Sequence, residues 1–277
     1  FMVHRNTMAA TSDAVFYGEG GICTILDAAT GCERQEIAAP PAAVKASAPH
    51  WKWLAVESGV LYGVFGKPEQ PDKAKLWRRA SGGWPWTAMS EGFNDAKRIW
   101  GNGRVVAAFD PATKRPLWTH TETEPIDTRA VCMGNGKLFL FRFGAYLTAL
   151  DAKTGRPLWR KTPKNAPKLF EAIGEYRDKQ GWGTNWKTAV YLKCTDKALY
   201  FAGPQVTKLV AVSADDGRLM WENPYDNFQL VIYDEFLYGV SGGRQPVSRK
   251  LHPLTGKVLK ELKLSRHGCT RPTGTVD

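Results

Sequence analysis

No run of about 20 apolar residues occurs in this 277-residue chain, so no membrane-spanning helix is expected. Cysteine is sparse: Cys23, Cys32, Cys132, Cys194 and Cys269, with no C-x-x-C spacing and no adjacent pair. That excludes a local zinc ribbon and a c-type haem attachment site. The odd count argues against a fully paired disulfide framework. Cys23 and Cys32 flank a turn on what read as adjacent strands, a placement open to a bridge or to two buried thiols. The five histidines, His4, His50, His120, His252 and His267, form no H-E-x-x-H, and no G-x-x-x-x-G-K-[ST] loop is present. One G-x-S-x-G match, Gly239 to Gly243, runs into Arg244-Gln245-Pro246 and another strand, whereas a nucleophile elbow needs a helix after the Ser. The first residues, Phe1-Met2-Val3-His4-Arg5, lack the apolar centre of a signal peptide.

Positive charge is in excess, with 38 Lys and Arg against 27 Asp and Glu, a net +11. Between Arg244 and Arg271 stand eight basic residues and one acid, Glu261. These charges alternate with apolar residues, as solvated strand ends do. They therefore read as surface rather than as a specific nucleic-acid footprint.

A repeat organises the chain. Leu150-Asp151-Ala152-Lys153-Thr154-Gly155-Arg156-Pro157-Leu158-Trp159 is its cleanest copy. Related copies start at Leu26-Asp27, Phe109-Asp110, Val212-Ser213 and Leu251-His252. An Asp side chain can bond backbone amides two residues on and hold a tight turn. The Gly supplies the positive φ that closes it. Lys114 stands at the Gly position of the second copy and must strain or reshape that turn. The fourth and fifth copies replace the Asp with Ser213 and His252, and His252 is expected to take over the Asp role. Trp118, Trp159 and Trp221 recur at one offset from the turn, where a flat ring can fill the space between sheets. Gln35 and Lys260 stand there in the first and fifth copies.

This pattern resembles the pyrroloquinoline-quinone-like (PQQ-like) β-propeller repeat. The resemblance implies that the turn joins the two outer strands of a blade and that the Trp docks between blades. The expected fold is all-β, a propeller of four-stranded antiparallel blades, with about five blades present in an incomplete ring. The blades fall near 4–39, 51–120, 128–161, 187–222 and 227–262, and residues 267–277 read as the start of a further blade. In the third blade the inner strand is expected at 128–133, followed by an Asn135-Gly136 hairpin. Residues 66–103 and 163–186 read as insertions. The apolar spacing of Leu169, Ile173 and Tyr176 suggests a helix within 165–179.

Candidate binding residues come from two places. The insertions hold Trp84, Trp86, Trp100, Trp182, Asn185 and Trp186, aromatics among basic residues that can stack on a sugar or grip a peptide. Both insertions leave from strand ends and are expected to share one face of the disc. Arg129 and Arg271 sit near the starts of inner strands, facing the axis, where cations favour an anionic ligand. No catalytic residue and no metal ligand is assigned.

The resemblance also implies a function. Its nearest functional type looks like the β-propeller lipoproteins of outer-membrane protein assembly. The expected role is then a non-catalytic binding scaffold, periplasmic or otherwise extracytoplasmic, within a larger bacterial repeat protein. Its partners would be a protein, small molecule or glycan on the loop face, together with the remaining blades of the parent chain. Alternatives are a piece of a quinoprotein dehydrogenase, which would hold PQQ and calcium on the axis, and a carbohydrate-binding or sensor module fused to an enzyme. The adjacent cysteines and the converging Glu, Asn and Asp that such a dehydrogenase uses have no counterpart here, so no cofactor is expected.

Overall fold

The protein is described by a computed structural model over residues 7–40, 49–68, 102–175, 190–203, 205–224, 228–240 and 247–262. Strands β1 (Met8–Ala10), β2 (Ala14–Glu19), β3 (Ile22–Asp27) and β4 (Glu33–Ala38) form the first sheet. The second holds β5 (His50–Glu57), β6 (Val60–Gly66), β7 (Asn102–Asp110) and β8 (Arg115–Asp127). The third holds β9 (Cys132–Gly134), β10 (Lys137–Arg142), β11 (Tyr146–Asp151) and β12 (Pro157–Lys161). The fourth holds β13 (Tyr191–Cys194), β14 (Ala198–Ala202), β15 (Leu209–Ser213) and β16 (Leu219–Asn223). The fifth holds β17 (Gln229–Tyr233), β18 (Phe236–Val240), β19 (Ser248–Leu251) and β20 (Val258–Leu262). All five are antiparallel and lie in chain order, each a propeller blade. Among the described residues they form an open ring.

The middle strands explain the layering. β10, β11 and β14 are buried on both faces, because each is sandwiched between neighbouring blades. Their sequences therefore read as short apolar runs rather than as alternation. Outermost strands such as β12 are mostly exposed. The core lies in the joints between blades. Phe16, Ile25 and Ile37 of the first blade pack on Trp51, Leu61 and Phe65 of the second. Phe139, Phe141 and Leu147 of the third pack on Leu199, Phe201 and Val210 of the fourth.

The repeat turn has the chemistry its residues suggest. Asp151 Oδ1 accepts from the Thr154 amide and hydroxyl, both at 2.7 Å. The Gly155 amide donates to the Asp151 carbonyl at 2.8 Å, with φ of 70°. In the first turn Asp27 Oδ1 likewise takes the Thr30 amide and hydroxyl, both at 2.8 Å. A bulge precedes every turn at the same offset, between Ile25/Leu26, Ala108/Phe109, Ala149/Leu150, Ala211/Val212 and Lys250/Leu251. It leaves residues such as Leu117 and Leu158 unpaired and exposed while the next residue, Trp, is paired to the strand.

Each Trp then reaches the following blade. Trp118 Nε1 donates to the Ala152 carbonyl at 2.9 Å, Trp159 to Ala214 at 3.1 Å, and Trp221 to Pro253 at 2.9 Å. The acceptor is in each case the residue just after the turn's first position. The indole lies over the turn glycine: a Cβ built on Gly155 stands 2.4 Å from Trp118, one on Gly217 2.7 Å from Trp159, and one on Gly256 2.6 Å from Trp221. Glycine is required at these turns for space as well as for φ.

Four expectations change. The inner strand expected at 128–133 is broken: Thr128–Ala130 form a 3-10 turn and β9 starts at Cys132. The Asp127 side chain takes the Arg129 amide at 3.1 Å, and this local bond competes with the sheet. The second blade runs past 120, because β8 continues to Asp127. The helix, α1, is shorter, Pro167–Ile173, and buries Leu169, Phe170, Ala172 and Ile173 in the joint of blades three and four. Pro167 starts it without a missing amide to satisfy, and Gly174, at φ of 86°, ends it. Tyr176 lies outside the described residues. His252 does not replace the turn Asp: its Nδ1 is buried with no hydrogen-bond partner among the described residues, and the turn is held by the Gly256 amide on the His252 carbonyl at 2.9 Å. The expected further blade at 267–277 also lies outside the described residues.

Candidate functional site

The inner strands of all five blades border one axial cavity of about 700 Å³. Its wall is mixed in polarity, with Met8, Trp53, Leu54, Met133, Leu192 and Ile232 among the apolar lining residues. Polar groups enter from Glu57, Thr128, Arg129, Tyr191 and Lys193, and two thiols from Cys132 and Cys194. A concavity that combines apolar walls with convergent polar groups can serve as a ligand site.

Arg129, predicted as an axial cation, does reach this cavity, but Asp127 holds it. Arg129 Nη2 donates to Asp127 Oδ2 at 2.6 Å and Nε to Oδ1 at 2.8 Å, with both side chains 3% exposed. Burial alone would raise the Asp127 pKa. The Arg129 charge and hydrogen bonds outweigh it and hold the carboxyl below the usual range. The local charge is thus balanced, and Arg129 shapes the wall more than it offers a net cation.

Lys193 is placed by its strand to face the fifth blade. Its Nζ donates to the Leu230 carbonyl at 2.8 Å, and burial lowers its pKa. Tyr191 Oη donates to the Phe228 carbonyl at 2.9 Å in the same joint. The two side chains therefore stitch the inner strands of blades four and five. Away from the axis, Glu122 accepts from Arg160 at 2.9 Å and contacts His120 Nε2 at 3.0 Å, and Arg160 lies 4.0 Å over the Tyr146 ring. This cluster bridges blades two and three.

Trp84, Trp86, Trp100, Trp182, Asn185, Trp186 and Arg271 lie outside the described residues. The stems of the insertions are described. β6 and β12 run in the same sense within their sheets, each antiparallel to the strand before it. The described stems of both insertions therefore leave from one face of the ring, where the Arg129 turn also lies. The first stem is tight: a Cβ on Gly66 would stand 2.1 Å from the Asn102 carbonyl oxygen, and one on Gly103 2.4 Å from that of Phe65.

Calcium needs several converging oxygens. The cavity's described lining brings one carboxylate, Glu57, while Asp127 is engaged with Arg129. Among the described residues no three His, Cys, Asp or Glu side chains cluster as metal ligands. The described lining of the cavity therefore supplies too few oxygen ligands for a calcium–quinone site. Of the thiols, Cys23 is buried, with its pKa pushed up to about 12 by burial, and Cys32 is exposed, so the two neither bridge nor share a buried setting. Sequence reasoning missed Lys193, Tyr191, Cys132 and Cys194; their common signal is position on an inner strand.

A family model described as outer membrane protein assembly factor BamB matches residues 101–171. The outer membrane protein assembly factor BamB of Burkholderia pseudomallei is 26% identical over 266 residues, 90% of this chain and 63% of that protein. The chain thus spans under two thirds of the length of this relative. Among solved structures, a europium-containing methanol dehydrogenase superposes with a TM-score of 0.52 at 12% identity, over 93% of this chain and 50% of that one. BamB from Moraxella catarrhalis gives a TM-score of 0.48 at 14% identity, over 90% of this chain and 61% of that one. With its repeat turns, its docked indoles and its four-stranded blades, the chain has a β-propeller fold, and its second and third blades are similar to the assembly-factor family over residues 101–171.

Proposed function

We propose that this chain is a non-catalytic, protein-binding propeller segment that acts in outer-membrane protein assembly on the periplasmic side. The observation that carries the reading is that the described stems of both Trp-rich insertions leave from one face of the blade scaffold. Loops held on a rigid scaffold are where binding residues concentrate. The likeness to BamB supports a protein as the partner, and the mixed lining of the axial cavity offers both apolar contact and polar groups to one. No helix among the described residues is long and apolar enough to cross a membrane. The proposal assigns no quinone and no calcium, since the described lining does not supply their ligands.

The test uses the whole chain and a version in which residues 69–101 are replaced by a short Gly-Ser linker. Binding of an unfolded outer-membrane β-barrel protein is followed by Trp fluorescence and by anisotropy of the labelled client. The intact chain is expected to bind and the shortened one to lose at least tenfold in affinity while keeping its circular dichroism. Equal binding by both, or quenching by oligosaccharides with no response to the client, would overturn the reading.

A further inference from the structure

We propose that Cys132 and Cys194 form a thiol pair that oxidises to a disulfide across the joint between blades three and four. Cys132 lies on β9 and Cys194 on β13, the innermost strands of neighbouring sheets. Cys194 Sγ donates to the carbonyl of Met133, the residue after Cys132, at 2.9 Å. A Cβ built on Gly134 would stand 2.8 Å from Cys194 Sγ, so the missing side chain there leaves room for the sulfur. The Cys194 sulfur thus sits beside Met133 and Gly134, the two residues that follow Cys132. Both are half-buried and line the axial cavity, so a small disulfide can approach them. The indole bond of this joint lies at the outer strands, away from both thiols.

The environment makes the pair unequal. Burial pushes the Cys132 thiol well above its ordinary value, and donation from Cys132 pulls Cys194 down. Cys194 is then the sulfur that attacks first. Its thiolate displaces one thiolate from a low-molecular-weight disulfide such as oxidised glutathione and forms a mixed disulfide. Cys132 then gives up its proton, attacks Cys194 Sγ and releases the second thiol. The balance is two protein thiols and one glutathione disulfide giving one protein disulfide and two glutathione thiols. The product ties together two strands that bound the cavity, bracing the wall on the side where Lys193 and Tyr191 already hold the next joint.

The experiment equilibrates the whole chain in a glutathione redox buffer, quenches it with acid, alkylates free thiols and maps the peptides by mass spectrometry. Exposed Cys32 is the internal control, since it reacts with any active oxidant. The expected result is a joined Cys132–Cys194 peptide pair lacking two hydrogens, and a Tm raised by about 5 °C relative to the reduced protein. The variant Cys132→Ser, checked for native circular dichroism, is expected to keep glutathione on Cys194 that the wild type discharges. Cys132 and Cys194 both alkylating as thiols while Cys32 carries glutathione would overturn the proposal. So would separate glutathione adducts on both residues of the wild type.

Discussion

Gln35 donates its side-chain amide to the carbonyl of Pro111 at 2.7 Å, the bond that Trp118 makes to Ala152 one blade later. The acceptor again follows the first residue of a repeat turn, here Asp110. An amide has replaced an indole without losing the bond. The turn that receives it carries Lys114, at φ of 60°, where the turns under Trp carry glycine. The two departures explain each other: no indole lies over Lys114, so its Cβ has room. Gln35→Trp alone is expected to destabilise by about 1–3 kcal/mol through overpacking on Lys114. Lys114→Gly alone is expected to change stability by under about 1 kcal/mol, with relief of φ offset by backbone entropy. The double variant is expected to recover most of the loss. Urea denaturation of the four proteins checks this, and strictly additive effects would exclude the steric link.

The indole of Trp159 combines a bond to Ala214 with ring contact on Phe139 at 6.1 Å. Trp159→Ala is expected to cost about 3 kcal/mol, the low end for a large aromatic because the ring is half-buried. Trp159→Phe keeps much of the packing and is expected to lose about 1 kcal/mol with the N–H bond. Equal losses for the two variants in chemical denaturation would show that the packing Phe retains contributes little and that the loss lies in what both remove, the N–H bond and the second ring.

Gly31 and Gly155 share a backbone conformation, φ of 71° and 70°, but not a neighbour. Nothing lies within 4 Å of a Cβ built on Gly31, while Trp118 crowds Gly155. Gly31→Ala is expected to cost about 1 kcal/mol, from conformation alone. Gly155→Ala is expected to cost a further 1–3 kcal/mol or so. Matching Tm shifts for the pair would place the indole farther from the turn than the structure does.

Asp127 and Glu122 set the acid limit. Burial works to raise both, but Arg129 on one, and His120 and Arg160 on the other, hold both below their ordinary values. A carboxyl whose folded pKa is depressed contributes stability that is fully present above its unfolded value, about 3.9 for Asp and 4.3 for Glu, and lost as pH falls through the folded value. Stability is therefore expected to hold through neutral pH and to fall below about pH 4. Asp127→Asn leaves the Arg129 guanidinium buried beside a neutral amide and is expected to cost about 3–5 kcal/mol at pH 7. Its loss of stability on acidification should be shallower than that of the wild type, read from denaturation midpoints across pH 3 to roughly pH 7.

What the sequence made legible was local. Asp151, Thr154, Gly155 and Trp159 fall within one turn and one strand, so their spacing alone announces the blade edge. Gln35 makes the same contact with a side chain that shares only a donor with Trp, so the repeat marked its position but not its bond. Arg129 was readable as axial, yet Asp127, two residues earlier, takes its charge and bends the inner strand into a 3-10 turn. That signal was adjacent in sequence, but a short-range Asp–Arg pair looks the same on an exposed strand. Cys132 and Cys194 come together only because successive blades place their inner strands side by side, and nothing in either neighbourhood points to the other. His252 shows the opposite error: its position in the repeat suggested a role that the backbone of Gly256 performs unaided.

The indole joint has a direction. Its donor belongs to the last strand of one sheet and its acceptor to the turn of the next, so the two surfaces it joins are different. Such a contact is heterologous: it can propagate head to tail, and only the rotation per step decides whether and where a ring closes. Nothing in the Trp–carbonyl bond counts blades. The count is instead a matter of wedge angle, set by how thick each joint is near the axis, where residues as unequal as Ala130 and Leu192 meet between blades three and four. Side-chain volume at those inner positions, rather than the number of tryptophans, governs how many sheets it takes to come full circle.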